Sequence, residues 1–189
     1  MPQKSDIRRE MRARRRALTT EDRARASMAI CGKLIAGEAA ATASGTSGGD
    51  GAVAVYLASP DEIDLTHFIR ELLNRGVTVV SPRWNGGEYE LARIESLSEE
   101  DLRRGPMNIL EPAGAKIVEP RHVAVWIIPG LAFTADGKRL GYGGGWYDRL
   151  LAASCKKSLK IGVAHDFQIL EDLPSEPHDI RLDRIVTDA

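Results

Sequence analysis

The residues with most chemistry in this sequence lie between Pro129 and Asp148, where the chain reads PGLAFTADGKRLGYGGGWYD. Gly141, Gly143, Gly144 and Gly145 stand just before a segment of helical character. Glycines allow positive φ and let a ligand approach backbone N–H groups. A helix start adds unsatisfied N–H groups and partial positive charge, so the two together can cradle a phosphate. Lys138 and Arg139 add fixed positive charge beside it. The run has neither the G-K-[ST] ending of a Walker A loop nor a G-x-G-x-x-G spacing. On spacing alone, it could equally be a loop that only turns the chain.

Asp148 sharpens the question. A bare carboxylate repels phosphate unless a cation bridges them, and Mg²⁺ suits that role because it takes few carboxylates and keeps phosphate oxygens and waters. The competing reading is a first-turn aspartate facing the helix dipole. Lys4 and Arg8 are four apart, so one helical face can offer an ammonium and a guanidinium to a phosphate chain, or simply face water. Arg14, Arg15 and Arg16 read as solvated surface or a weak polyanion patch. Glu62 follows a strand end and could hydrogen-bond a polar heterocycle or face solvent. Trp146 and Tyr147 could stack on a flat ligand or pack in the core. Glu111-Pro112 reads as a turn with no evident chemistry.

These groups need a scaffold. Residues 4–18 read as a helix with Ile7, Met11 and Leu18 on one side. Thr19 with Asp22 resembles a capping box opening a second helix, buried along Ala24, Met28, Cys31, Leu34 and Ile35 and ended by Gly37. Residues 38–51, of low complexity, predict a flexible surface loop within one domain spanning 1–189. AVAVYLA (52–58) predicts a buried strand. Leu65, Phe68, Ile69, Leu72 and Leu73 predict an amphipathic helix capped by Asp64 and ended by Gly76, and VTVVSP (77–82) a second strand. Such a unit should be parallel with a right-handed crossover. YELARI (89–94) alternates as an antiparallel strand does. HVAVWIIPG (122–130), KIGVAH (160–165) and RIVTD (184–188) predict further strands, and 146–154 a helix. The order implies an α/β fold, a three-layer α/β/α sandwich with a mostly parallel sheet. Ligands of such sheets gather at the carboxyl ends of the strands, here Ser59–Glu62, Pro129–Asp148 and His165–Gln168.

Composition sets the remaining bounds. The 189 residues carry a net charge of −1, with 43% hydrophobic and 28% charged residues, an ordinary globular balance. Residues 1–25 hold nine Lys or Arg against four acids, which suggests an anionic partner. No apolar run reaches the roughly 20 residues of a membrane helix, and MPQKSDIRRE lacks an apolar signal core. Two distant cysteines and four histidines without ligand spacing argue against disulfides and transition metals. A cytoplasmic protein is the expectation.

At this point the motifs are recognisable. The sequence resembles the 5-formyltetrahydrofolate cyclo-ligase family, also called methenyltetrahydrofolate synthetase. The matching residues are Lys4-x-x-Ile7-Arg8, Tyr56 to Glu62, Asn108 to Pro112, Pro129 to Phe133, Gly137-x-Arg139-Leu140-Gly141-Tyr142-Gly143-Gly144-Gly145-x-Tyr147-Asp148-Arg149, His178-Asp179, and Asp183-x-Ile185-Val186-Thr187. The resemblance implies a fold like the ribose-phosphate isomerase and CoA-transferase type. It implies that Lys4 and Arg8 hold the ATP phosphates and that Arg139, Leu140, Gly141, Tyr142, Gly143, Gly144, Gly145, Trp146 and Tyr147 complete the ATP loop. Asp148 and Asp179 would bind Mg²⁺. Leu57, Glu62, Met107 and the Tyr142–Trp146 stretch would contact the folate.

The implied reaction is ATP-dependent closure of 5-formyltetrahydrofolate, free or polyglutamylated, to the 5,10-methenyl form, with ADP and phosphate released. Phosphoryl transfer to the formyl oxygen activates it for attack by N10. The work of Lys4, Arg8, Arg139 and Asp148 is then positioning and charge neutralisation. The family usually has Tyr at Trp146 and Asp at Thr134. Two rival readings remain beside this one: a sugar-phosphate isomerase or CoA-transferase-like enzyme, and a nucleotide- or RNA-binding module built on the arginine-rich first helix. Neither a membrane nor nucleic acid is expected as a partner, and a monomer is expected.

Overall fold

The computed structural model describes residues 3–37, 51–176 and 179–189. The expected loop falls almost wholly on 38–50, outside the described residues, as does His178. Four α-helices are described: α1 (Lys4–Ala17), α2 (Thr20–Ala36), α3 (Thr66–Asn74) and α4 (Trp146–Ala152). The strands are β1 (Ala52–Ala54), β2 (Val79–Trp84), β3 (Tyr89–Arg93), β4 (Leu102–Arg104), β5 (Leu110–Pro112), β6 (Val123–Ile128), β7 (Ala132–Phe133), β8 (Arg139–Leu140), β9 (Leu159–Ala164) and β10 (Arg184–Thr187). None of these helices is long and apolar enough to cross a membrane.

Six strands form one sheet in the order β10-β9-β6-β1-β2-β3. All neighbours are parallel except β2 and β3. The fully apolar segments supply the centre because a strand covered on both faces has no side free for polar residues. Val53, Val79, Val125, Ile127, Ile161 and Val163 point to the face covered by α2 and α3. Ala52, Ala54, Val80, Trp126 and Ile128 point to the other face, with Leu150 and Leu151 of α4. The result is the expected layered α/β arrangement. Phe68, Ile69 and Leu72 anchor α3 on the sheet, and each such burial contributes roughly 1.5–3 kcal/mol.

Local signals explain most boundaries. Thr19 caps α2 by accepting from the Asp22 amide at 3.0 Å, and its hydroxyl donates back to the Asp22 carboxylate at 2.8 Å. Gly76, at φ 72°, closes α3 in the left-handed region that a side chain resists. Asp64 accepts from the Thr66 amide at 2.8 Å, but Leu65 is the cap residue, so the helix starts later than Asp64 alone predicts. The ladder of β1 stops at Ala54, and Val55 to Leu57 continue as buried chain. Two short hairpins, β4–β5 and β7–β8, have no counterpart in the sequence reading, and Glu111-Pro112 lies in strand β5, where the sequence predicts a turn. Their strands are too short to show a period.

Helix α1 lies on β7 and β8. Ile7 and Met11 pack with Leu131, Ala132, Leu140 and Leu173. The third buried residue of its face is Arg15, with Leu18 at the helix end as its C-cap. Arg15 is therefore not surface, contrary to its reading as part of a solvated arginine run.

Candidate active site

The glycine segment leaves β8 and turns into α4. Gly143 and Gly145 adopt φ of 106° and 66°, so the backbone conformation itself requires glycine at both. Helix α4 has only seven residues, and its cap Gly145 makes no side-chain bond. The macrodipole of so short a helix is weak, so cationic side chains carry most of any anion attraction here. Arg8 reaches across from α1 and donates from Nε to the Gly141 carbonyl at 2.9 Å. Arg139 donates to Asp148 at 2.7 Å and to the Pro129 carbonyl at 3.3 Å. Lys138 points away and pairs with Asp172 at 2.5 Å, so it does not supplement the loop as its position in sequence suggests.

A polar network centred on the buried Arg15 joins α1, the chain after β1 and the glycine loop. Arg15, 3% exposed, donates to the Tyr142 hydroxyl at 2.8 Å and pairs with Asp61 at 2.8 Å. The Tyr142 hydroxyl donates in turn to Glu62 Oε1. Glu62 Oε2 accepts from the Ser59 amide and hydroxyl, both at 2.8 Å. Burial opposes ionisation of Asp61, but the Arg15 bond outweighs it and holds its pKa below the usual carboxylate value. Burial, with the Glu62 charge beside it, pushes the Tyr142 hydroxyl far up, so Tyr142 is a neutral donor. Gln168 fixes the neighbouring strand end by donating to the carbonyls of Gly130 and Leu131, at 3.0 and 2.9 Å.

Lys4 lies beside the Glu176–Asp179 segment, 2.8 Å from Glu176 and 3.7 Å from Asp179. The Glu176 bond raises its pKa, against partial burial and with help from Asp179. Trp146 meets Trp84 and Tyr89 edge-to-face, with ring centroids 5.2 and 5.1 Å apart. Tyr147 is packed inward under the Arg139 guanidinium at 5.6 Å. Leu57 and Leu140 are buried in the core, which leaves their backbone as the part a ligand could meet. Met107 falls in the 3-10 turn Pro106–Asn108.

Known proteins resemble this chain in sequence and in fold. The model of the 5-formyltetrahydrofolate cyclo-ligase family matches residues 1–188. This chain belongs to that family. The Escherichia coli K12 5-formyltetrahydrofolate cyclo-ligase is 36% identical over 141 residues, covering 71% of this chain and 76% of that protein. The mouse 5-formyltetrahydrofolate cyclo-ligase is 26% identical over 194 residues, covering 97% and 92%. The NMR structure of Aquifex aeolicus 5,10-methenyltetrahydrofolate synthetase superposes with a TM-score of 0.83 at 35% identity, covering 98% of this chain and 89% of that one.

Within this cyclo-ligase family chain, a cation can be accommodated at Asp148. One of its oxygens accepts from Arg139, and the side chain remains about a third exposed. Asp179 accepts from the Glu176 amide at 2.7 Å. Among the described residues no group of three or more His, Cys, Asp or Glu could enclose a metal. That donor set fits Mg²⁺ held largely by phosphate oxygens and water, and does not fit a closed protein cage. The residue that the sequence reading missed is Arg15. Its signal was present, since Ile7, Met11 and Arg15 fall at i, i+4 and i+8 on the buried stripe.

Proposed function

We propose that this protein closes 5-formyltetrahydrofolate to 5,10-methenyltetrahydrofolate at the expense of ATP, releasing ADP and phosphate. The observation that carries this reading is the family motif in one place: Arg8 and Arg139 against the glycine loop, with Asp148 at its end. Two delocalised cations can hold a triphosphate and offset charge as phosphate transfers to the formyl oxygen. Lys4 extends this cationic side toward Asp179. Mg²⁺, bound through Asp148 and Asp179, would supply further charge neutralisation on the phosphates. Trp146, Tyr142 and the Glu62 segment form the folate side, with the Arg15–Tyr142–Glu62 network fixing their relative position. No side-chain nucleophile is required, because N10 of the substrate is the attacking group. The enzyme acts as a cytoplasmic monomer on free or polyglutamylated folate.

The test is stoichiometry. The purified chain with 5-formyltetrahydrofolate and Mg·ATP should release one ADP and one phosphate per methenyl product. ATP hydrolysis without product, or product without ADP, contradicts the reading.

A further inference from the structure

A cavity of about 600 Å³ opens between the β2–β3 and β4–β5 hairpins. Its lining includes Arg83, Trp84, Glu90, Arg103, Gly105 and Glu111. Its volume lies within the range of small-molecule sites. The unusual group is Glu111. The residue is 2% exposed, and its Oε2 is buried with no hydrogen-bond partner among the described residues. The cation paired with it is Arg103, 3.6 Å from Oε2, beyond hydrogen-bond length. Arg103 instead donates to the Trp84 carbonyl at 2.7 Å. Arg83 is held by Glu90 and the Gly114 carbonyl, and Arg104 by the Asn108 carbonyl at 3.1 Å. The three arginines around the cavity thus leave Oε2 unsatisfied.

Two further features concern the surroundings of this carboxylate. A Cβ at Gly105 would collide with the Glu111 carboxyl group, so only glycine at 105 allows the side chain its position. Burial, and then the Glu111 charge, push up the pKa of Tyr89. Tyr89 closes the ring trio with Trp84 and Trp146. Trp84 and Glu111 line the same cavity, so the buried carboxylate sits beside the aromatic cluster that contains Trp146. An unsatisfied buried carboxylate oxygen costs free energy unless a ligand donor completes it.

We infer that Glu111 is the acceptor for the N–H edge of the folate's pterin ring, seated in this cavity beside the Trp84–Tyr89–Trp146 cluster. The inference rests on the folate reading above and adds the orientation of the substrate. The 2-amino group and N3–H of a pterin form a planar pair of donors that a carboxylate accepts side by side, with charge-assisted bonds. Glu62, the carboxylate that the resemblance assigns to folate, has both oxygens engaged by Ser59 and Tyr142 and positions the loop.

The test measures binding of 5-formyltetrahydrofolate without nucleotide by calorimetry, for the natural chain, Glu111→Gln and Gly105→Ala. Each is also titrated with the analogue whose 2-amino group is replaced by methyl. The natural chain should bind the analogue roughly tenfold or more weakly, the cost of an unmade buried bond. Glu111→Gln should bind the parent compound weaker by a similar factor and no longer distinguish the two ligands. Gly105→Ala keeps the charge but displaces it, and should lose the same discrimination. Unchanged ATP binding reports that each variant is folded. If Glu111→Gln or a folded Gly105→Ala discriminates as the natural chain does, the assignment is overturned. If Glu111→Gln binds the parent more tightly, the anionic glutamate tail occupies the cavity and the orientation is wrong. Failure of the natural chain to bind the parent compound overturns the folate reading itself, and the inference with it.

Discussion

The Arg15 guanidinium donates to the Tyr142 hydroxyl at 2.8 Å, tying the first helix to the glycine loop from beneath. The same guanidinium holds Asp61 at the end of the chain leaving β1. One buried cation therefore fixes three segments that are far apart in sequence. Removing it should be costly, because the Tyr142 hydroxyl and the Asp61 carboxylate would both lose their buried partner. Asp61 keeps some solvent contact, which moderates the loss. Arg15→Met should lower stability by about 2–3 kcal/mol, read as a shifted urea midpoint. Arg15→Lys should recover only part of this, since an ammonium lacks the planar fork. A loss of under about 0.5 kcal/mol, the range of ordinary surface substitutions, would contradict a structural role.

Glu62→Gln tests how the folate side is positioned. Oε1 accepts from Tyr142 and Oε2 from Ser59, so an amide, with one acceptor in place of two, breaks part of this set. The KM for 5-formyltetrahydrofolate should rise by about tenfold, the cost of one unmade bond. The KM for ATP should stay near the parent value. A rise confined to ATP would place Glu62 in the nucleotide site.

Asp148→Asn tests the metal. The amide keeps an acceptor for Arg139 but loses the charge that a divalent cation requires. Turnover should then need roughly ten times more Mg²⁺ for half-maximal rate, with folate binding in the absence of nucleotide unchanged. Superimposable Mg²⁺ titrations of the two proteins would remove Asp148 from the metal site.

His165 should make stability depend on pH. Burial lowers its pKa below the ordinary value, although the bond to Asp188 at 3.3 Å acts the other way. Below about pH 6.5 the unfolded chain takes up a proton that the folded chain resists, so stability falls as pH drops toward the folded-state pKa. The natural chain should lose Tm between pH 7 and 5.5, and His165→Gln should flatten that slope. Equal slopes in the two proteins would show that other groups carry the effect.

Much of this fold is legible in the sequence because its signals are long and periodic. The run 65–73 marks its helix by spacing alone, and the apolar segments at 79–80 and 123–128 mark buried strands. The glycine loop announces positive φ, which Gly143 and Gly145 adopt. What stays hidden depends on contacts between distant short segments. Arg15 is indistinguishable by type from Arg14 and Arg16, and only its place four residues after Met11 sets it apart. Glu111 is buried by a hairpin of two three-residue strands, too short for any pattern to reveal. Lys138 looks like a loop cation, yet the turn before it carries it to Asp172.

The Arg8–Arg139 glycine loop is expected to deliver ATP's phosphoryl group to 5-formyltetrahydrofolate. This is checked by the absorbance of the methenyl product, recorded with and without Mg·ATP for the natural chain and for Arg139→Met. Product should form only when Mg·ATP is present, and at a rate at least a hundredfold lower in Arg139→Met than in the natural chain, about the effect of removing one preorganised group that stabilises transition-state charge. Product formed without ATP, no product in the complete mixture, or an undiminished rate in Arg139→Met would contradict it.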